Sequence, residues 1–220
     1  HAYNGVAHTY YTMVAWALAR YGKMSGSEEA LESSIRNLNW TLSLREENGW
    51  INQMNFDSSR ISTTHTIAYC AQGLAESGVI LKDSRYIDAA ISLVNPLNSA
   101  FNHAGFLPGA FDSDWNPVPM RYKNCLNQMI ETNPWECLTG TAQTSCTNWV
   151  LSRSQPDLTI MGRKLNEHLI IKQINLPSDP SVDGALSGSW PLDGPYDTLC
   201  LPNHAAKFFI DALNLEGATS

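Results

Sequence analysis

The chain has 220 residues and a net charge of −7. That length suits one or two domains, and an acidic balance argues against nucleic acid, which needs a basic stripe. Charged residues make up only 16% and aromatics 10%, with seven Trp and eight Tyr. This composition points to a large interior or a concave face lined with rings.

The predicted elements run as helical pairs. Tyr10, Met13, Val14, Ala17 and Leu18 recur at helical spacing, and Gly22 reads as the C-cap. The next helix spans about 27–44, capped by Ser27, with Glu28 and Glu29 at its positive end. The second pair begins with a helix over 64–77. Its partner starts at Asp83, and Pro96 is expected to kink or limit it. A long loop, 105–134, has no convincing periodicity. The third pair spans 137–152 and 157–171. A second long loop, 175–202, leads to a final helix over 203–215. Long loops of this kind are often functional.

The pairs repeat. His8-Thr9-Tyr10 before Leu18-Ala19 matches His65-Thr66-Ile67 before Leu74-Ala75, and an outer helix follows each. Repeats of this length mean stacked helical hairpins. The odd helices carry small and aromatic residues all round, whereas the even ones keep a polar face. The odd set should form an inner layer and the even set an outer one. The expectation is an all-α, single-domain fold of about seven helices, spanning 1–220.

Five cysteines (Cys70, Cys125, Cys137, Cys146 and Cys200) form no CxxC or CxC spacing. An odd count of this kind reads as reduced thiols in a cytoplasmic protein. No apolar run reaches the roughly 18 residues of a membrane span. Asn39-Trp40-Thr41 matches a glycosylation sequon but falls mid-helix.

On these repeats the chain resembles the α/α-toroid superfamily of terpenoid cyclases, protein prenyltransferases and six-hairpin carbohydrate-active enzymes. It is most similar to bacterial proteins labelled prenyltransferase- or squalene-cyclase-like. The residues that carry the resemblance are His8-Thr9-Tyr10, Asn48-Gly49-Trp50, Thr64-His65-Thr66, Pro108-Gly109 with Phe111-Asp112, Cys137-Leu138-Thr139-Gly140 with Gln143, Gly188-Ser189-Trp190-Pro191 with Tyr196, and Asn203. The resemblance implies a partial (α/α)6 barrel. The chain starts at His1, almost at once in helical pattern, so it reads as the C-terminal part of a longer toroid. Open edges on such a part imply a homodimer.

In such a toroid the loops at the N-terminal ends of the inner helices ring the cavity mouth. Three residue types gather there. His8 and His65 can exchange protons near neutral pH, or simply cap their helices. The acids Asp57, Asp112, Asp114, Glu131, Glu136, Asp193 and Asp197 offer a carboxylate pair. Asp112 and Asp193 are the expected pair, against the ordinary role of loop aspartates in capping turns. Tyr196 completes the expected catalytic set. Trp50, Tyr69, Trp115, Gln143, Trp190 and Asn203 are the expected binding residues, with packing between hairpins as the alternative for each ring.

No cofactor and no metal is expected. Asp112-Ser113-Asp114 matches only half of a cyclase Asp-x-Asp-Asp motif. Glu136, Cys137 and His204 only echo a prenyltransferase zinc set. The expected function is a carbohydrate-active protein that binds a saccharide or uronate and hydrolyses, eliminates or epimerises it. The alternatives are an isoprenoid-binding or cyclising protein, and a non-catalytic scaffold.

Overall fold

A computed structural model describes residues 5–56, 59–123, 126–132 and 135–219. Asp57, Cys125 and Pro134 lie outside the described residues. Among those described there are seven α-helices: α1 (Thr12–Ser25), α2 (Glu28–Ser43), α3 (Thr64–Leu81), α4 (Ser84–Ala104), α5 (Leu138–Leu151), α6 (Leu158–Lys172) and α7 (Asn203–Thr219). No described helix is long and apolar enough to cross a membrane.

The inner layer runs in chain order: α1 packs on α3, α3 on α5 and α5 on α7. The even helices back them, α2 on α1, α4 on α3 and α6 on α5. Burial follows the predicted layering. Every residue of α5 is buried, as are most of α3, because both have inner neighbours on two sides. The end members α1 and α7 bury only one face. The row is open, and the main core lies between α3, α4 and the helices beside them.

Small residues allow this close approach. A Cβ on Gly73 would stand 2.4 Å from the Thr12 carbonyl carbon, and one on Gly140 would stand 2.8 Å from the His65 nitrogen. Each glycine therefore marks a point where one inner helix meets the backbone of the next. Thr12 Oγ1 seals the first crossing by donating to the Cys70 carbonyl at 3.1 Å.

Three local expectations need correction. Gly22 does not cap α1. It is buried in the helix with Leu31 in the place a side chain would take, and Gly26 supplies the left-handed cap at φ 76°. Pro96 does not end α4, which continues to Ala104 and is capped by Gly105. The buried stripe of Leu93, Val94, Leu97 and Phe101 holds the helix together across the lost hydrogen bond. The loop over 105–134 is also not structureless, since it contains strands.

Those strands form three antiparallel two-stranded pairs. β1 (Ile61–Thr63) pairs with β2 (Ala110–Asp112), and β5 (Glu136–Cys137) pairs with β6 (Ser189–Trp190). β3 (Met120–Lys123) and β4 (Met129–Thr132) form a hairpin between them. The first two pairs follow one plan. A strand leads into an inner helix and pairs with the loop that follows the next outer helix. That loop then takes the helix's first N–H groups, which have no partner within the helix. Thr64 N donates to Gly109 O at 2.9 Å, and Leu138 N donates to Gly188 O at 3.1 Å. Thr9 N does the same with Gln53 O at 3.0 Å ahead of α1. The long loops are thus pinned over the N-terminal ends of the inner helices.

Candidate functional site at the inner-helix mouth

Alternation along the β5–β6 pair splits this region in two. Successive residues point to opposite faces, and directly opposed residues share a face. Cys137 opposes Ser189, and Glu136 opposes Trp190. The first pair faces the inner-helix mouth and the second faces an outer cavity.

At the mouth, His65 is the second residue of α3 and His204 the second of α7. Their rings lie nearly parallel, with centroids 5.8 Å apart. The Tyr69 and Tyr196 rings flank His65 at 4.5 and 5.2 Å. His65 Nδ1 is 2.6 Å from Gln143 Oε1, which rises from α5. That contact places the hydrogen on Nδ1, and Nε2 keeps the lone pair. Gln143 Nε2 has no acceptor among the described residues.

His204 Nε2 is 3.2 Å from the Tyr196 hydroxyl and 3.2 Å from Asp197 Oδ2. Ser189 holds Tyr196 in place: its Oγ donates to the Tyr196 carbonyl at 2.7 Å and accepts from the Tyr196 N–H at 2.8 Å. Asp197 adopts φ 48°, which turns the chain so that the adjacent side chains meet His204. Tyr196, His204 and Asp197 thus form a polar chain over the start of α7, and the His65 ring packs against it from the start of α3.

Burial sets the protonation of this cluster. It drives the His65 imidazole down to about 4. The Gln143 hydrogen bond opposes that shift, and the nearby His204 charge adds to it. Burial, followed by the neighbouring Cys137, Asp197 and Tyr69, pushes the Tyr196 phenol well above its usual value. At neutral pH His65 is therefore a neutral acceptor and Tyr196 a protonated donor.

The structure brings together His65, Tyr69, Gln143 and Tyr196 from the expected set. Asn203 is exposed beside them at the start of α7. The remaining expected residues lie elsewhere. Asp112 is spent in its own turn, where Oδ1 accepts from Asp114 N and Asn116 N at 2.9 Å each. Burial raises its pKa, but the hydrogen bonds from Asn116 and Asp114 hold it below the usual carboxylate value. Asp193 is exposed on the turn after Pro191. His8 stacks on Tyr10 at 4.9 Å ahead of the 3-10 turn Thr9–Tyr11. Trp50 is 1% exposed and sits in the core against the Trp115 edge. Trp190 faces the outer cavity.

Sequence reasoning counted Asp197 among the mouth acids without selecting it, and passed over His204 as a mouth residue. The signal was present: Asn203-His204 stands at the start of α7 as Thr64-His65 stands at the start of α3.

No family model matches the chain, and no curated protein matches its sequence. Among solved structures it is similar to cellobiose 2-epimerase from Bacillus thermoamylovorans, at 12% identity and TM-score 0.69, over 97% of this chain and 56% of that one. It is also similar to an unsaturated glucuronyl hydrolase specific for heparin, at 14% identity and TM-score 0.69, over 97% and 60% of the two chains. A GH76 α-mannanase of Bacteroides thetaiotaomicron matches at 16% identity and TM-score 0.63, over 97% and 53%. The chain therefore folds as a partial α/α toroid and spans little more than half the length of these structures. The comparisons lend no support to the expected prenyltransferase-like kinship.

Proposed function

We propose that this open toroid binds a saccharide or uronate at the inner-helix mouth and moves a proton on it. The observation that carries this reading is the His65, Tyr196, His204 and Asp197 cluster, in which a neutral imidazole packs against a protonated phenol. In this reading His65 Nε2 accepts a proton from the ligand, and Tyr196 returns one from its hydroxyl and regains it from His204 Nε2, which Asp197 holds in place. Tyr69 supplies a ring face and Gln143 fixes the His65 tautomer. Carbohydrate-acting proteins among the structures of like fold support a saccharide as the ligand.

Among the three reactions, epimerisation and elimination suit the site better than hydrolysis. Glycoside hydrolysis generally uses two carboxylates about 5–10 Å apart. Here Asp112 is committed to its turn, and Asp197 is paired to His204. A uronate fits the basicity problem as well. An imidazole at about 4 is a weak base at neutral pH, and a carboxylate arriving beside it raises its pKa. Reduced Cys70, Cys137, Cys146 and Cys200 favour a cytoplasmic setting.

A thermal-shift panel of neutral sugars, uronates and prenyl diphosphates tests the ligand class. A ligand at about 100 times its Kd adds about 2.7 kcal/mol of stability. Stabilisation by a saccharide or uronate is expected. Stabilisation by a prenyl diphosphate alone would favour the isoprenoid reading, and a flat panel the scaffold reading.

The open edges support a homodimer. Val14 and Tyr21 on α1 are 55% and 60% exposed, and Ile210 on α7 is 56% exposed. Light scattering over a dilution series should show a concentration-dependent dimer, and a constant monomer mass would contradict it.

A further inference from the structure

The other face of the β5–β6 pair opens on a cavity of about 380 Å³ between the ends of α4 and α6. Ligand sites commonly start near this size. Phe106, Trp135, Trp190 and Pro191 supply apolar walls, and Glu136, His168 and Lys172 supply the polar ones. The polar groups are organised rather than scattered. Glu136 is 1% exposed, and both its oxygens lie 2.9 Å from His168 Nε2. Thr141 Oγ1 donates to Glu136 Oε1 at 3.0 Å. The carboxylate is thus saturated and serves to orient the imidazole. His168 Nδ1 is left as the ring nitrogen for a ligand.

Lys172 Nζ stands 4.3 Å from the centroid of the Trp190 ring, which is 45% exposed. The ammonium stands over one face of the indole, and the exposed remainder of the ring is left as a stacking surface. Trp135 is 3% exposed, and its indole N–H has no acceptor among the described residues.

We propose that this cavity is a second ligand site, for a sugar-sized ring carboxylate of the uronic acid class. The ring lies against Trp190 and its carboxylate pairs with Lys172. His168 Nδ1 accepts from a ring hydroxyl. Lys172 is the cation of the cavity, while the Glu136 carboxylate is buried and held against His168 on both oxygens. The site stands independently of the reading at the mouth, because the two clusters lie on opposite faces of one strand pair and share no side chain.

Calorimetric titration with D-glucuronate, with D-glucose as the neutral control, tests it. The wild-type chain should bind glucuronate at millimolar strength and glucose more weakly. Lys172→Gln and Trp190→Ala should each weaken glucuronate binding by about tenfold or more. Both side chains are at least partly exposed, so the fold should persist, and unchanged melting temperatures would verify it. His65→Gln should leave the Lys172-dependent part of this binding unchanged. No glucuronate binding by the wild-type chain would overturn the proposal. Binding that survives Lys172→Gln and is lost in His65→Gln would also overturn it, by assigning the ligand to the mouth.

Discussion

Trp50→Ala is expected to cost about 3–5 kcal/mol of folding stability, the usual range for emptying a buried aromatic site. Trp50 is 1% exposed and meets the Trp115 edge at a centroid distance of 5.1 Å. The surroundings are tied and cannot collapse into the gap. Trp115 Nε1 donates to the Asn48 carbonyl at 3.2 Å, and Asn48 Nδ2 donates to the Ser113 carbonyl at 2.8 Å. The ring thus joins the turn after α2 to the loop after β2. With total stabilities of about 5–15 kcal/mol, the loss is a large fraction of the whole. Urea unfolding measures it, with Trp190→Ala as an exposed control expected to change little. A loss below about 1 kcal/mol for Trp50→Ala would mean the ring is not a core element.

Acid should weaken the fold through His65. Its pKa falls from an ordinary 6.5 to about 4 on folding, first because of burial. The unfolded chain therefore takes up this proton at a higher pH than the folded one. The contribution is fully present above about pH 6.5 and is lost as the pH drops towards 4. Each tenfold weakening of proton affinity corresponds to about 1.36 kcal/mol, so the total is roughly 3 kcal/mol. Comparing unfolding free energies at the two ends of that window, in the wild-type chain and in His65→Gln, isolates it. The variant should show a loss smaller by roughly that amount. If the variant does not fold, the His65 ring protons can be titrated by NMR in the wild-type chain. A midpoint near 6.5 would contradict the buried, neutral imidazole.

The helices were legible in the sequence because their signals are local. Ser27 accepts from Ala30 N at 3.3 Å, and Asp83 accepts from Arg85 N at 3.0 Å, as their positions predicted. The layering was legible because the buried α5 carries no charged residue. Strands of two to four residues were not, since alternation needs a longer run to register. Gly22 misled because a glycine near a helix end can serve a cap or a helix contact, and Leu31 is non-local information.

The site was legible in part. His65, Tyr69, Gln143 and Tyr196 share one end of the inner layer, and that end follows from the repeat. Which side chains touch depends on the loops pinned by Gly109 and Gly188 carbonyls, and no spacing encodes that. The split made by β5 and β6 sends Trp190 to the far side of the ladder. Tryptophans at positions 50 and 190 look alike in composition, yet one is core and the other an exposed face.

Deuterium uptake tests His65 as the proton-transfer centre most directly. The chain is incubated in D2O with reducing sugars and uronates, and the carbon-bound hydrogen next to the carbonyl or carboxylate is followed by NMR. The wild-type chain should exchange that hydrogen for deuterium, and His65→Gln should slow the exchange by about 100-fold or more, the usual weight of a general base. Equal exchange by the two proteins, or none by the wild-type chain with any member of the panel, would contradict it.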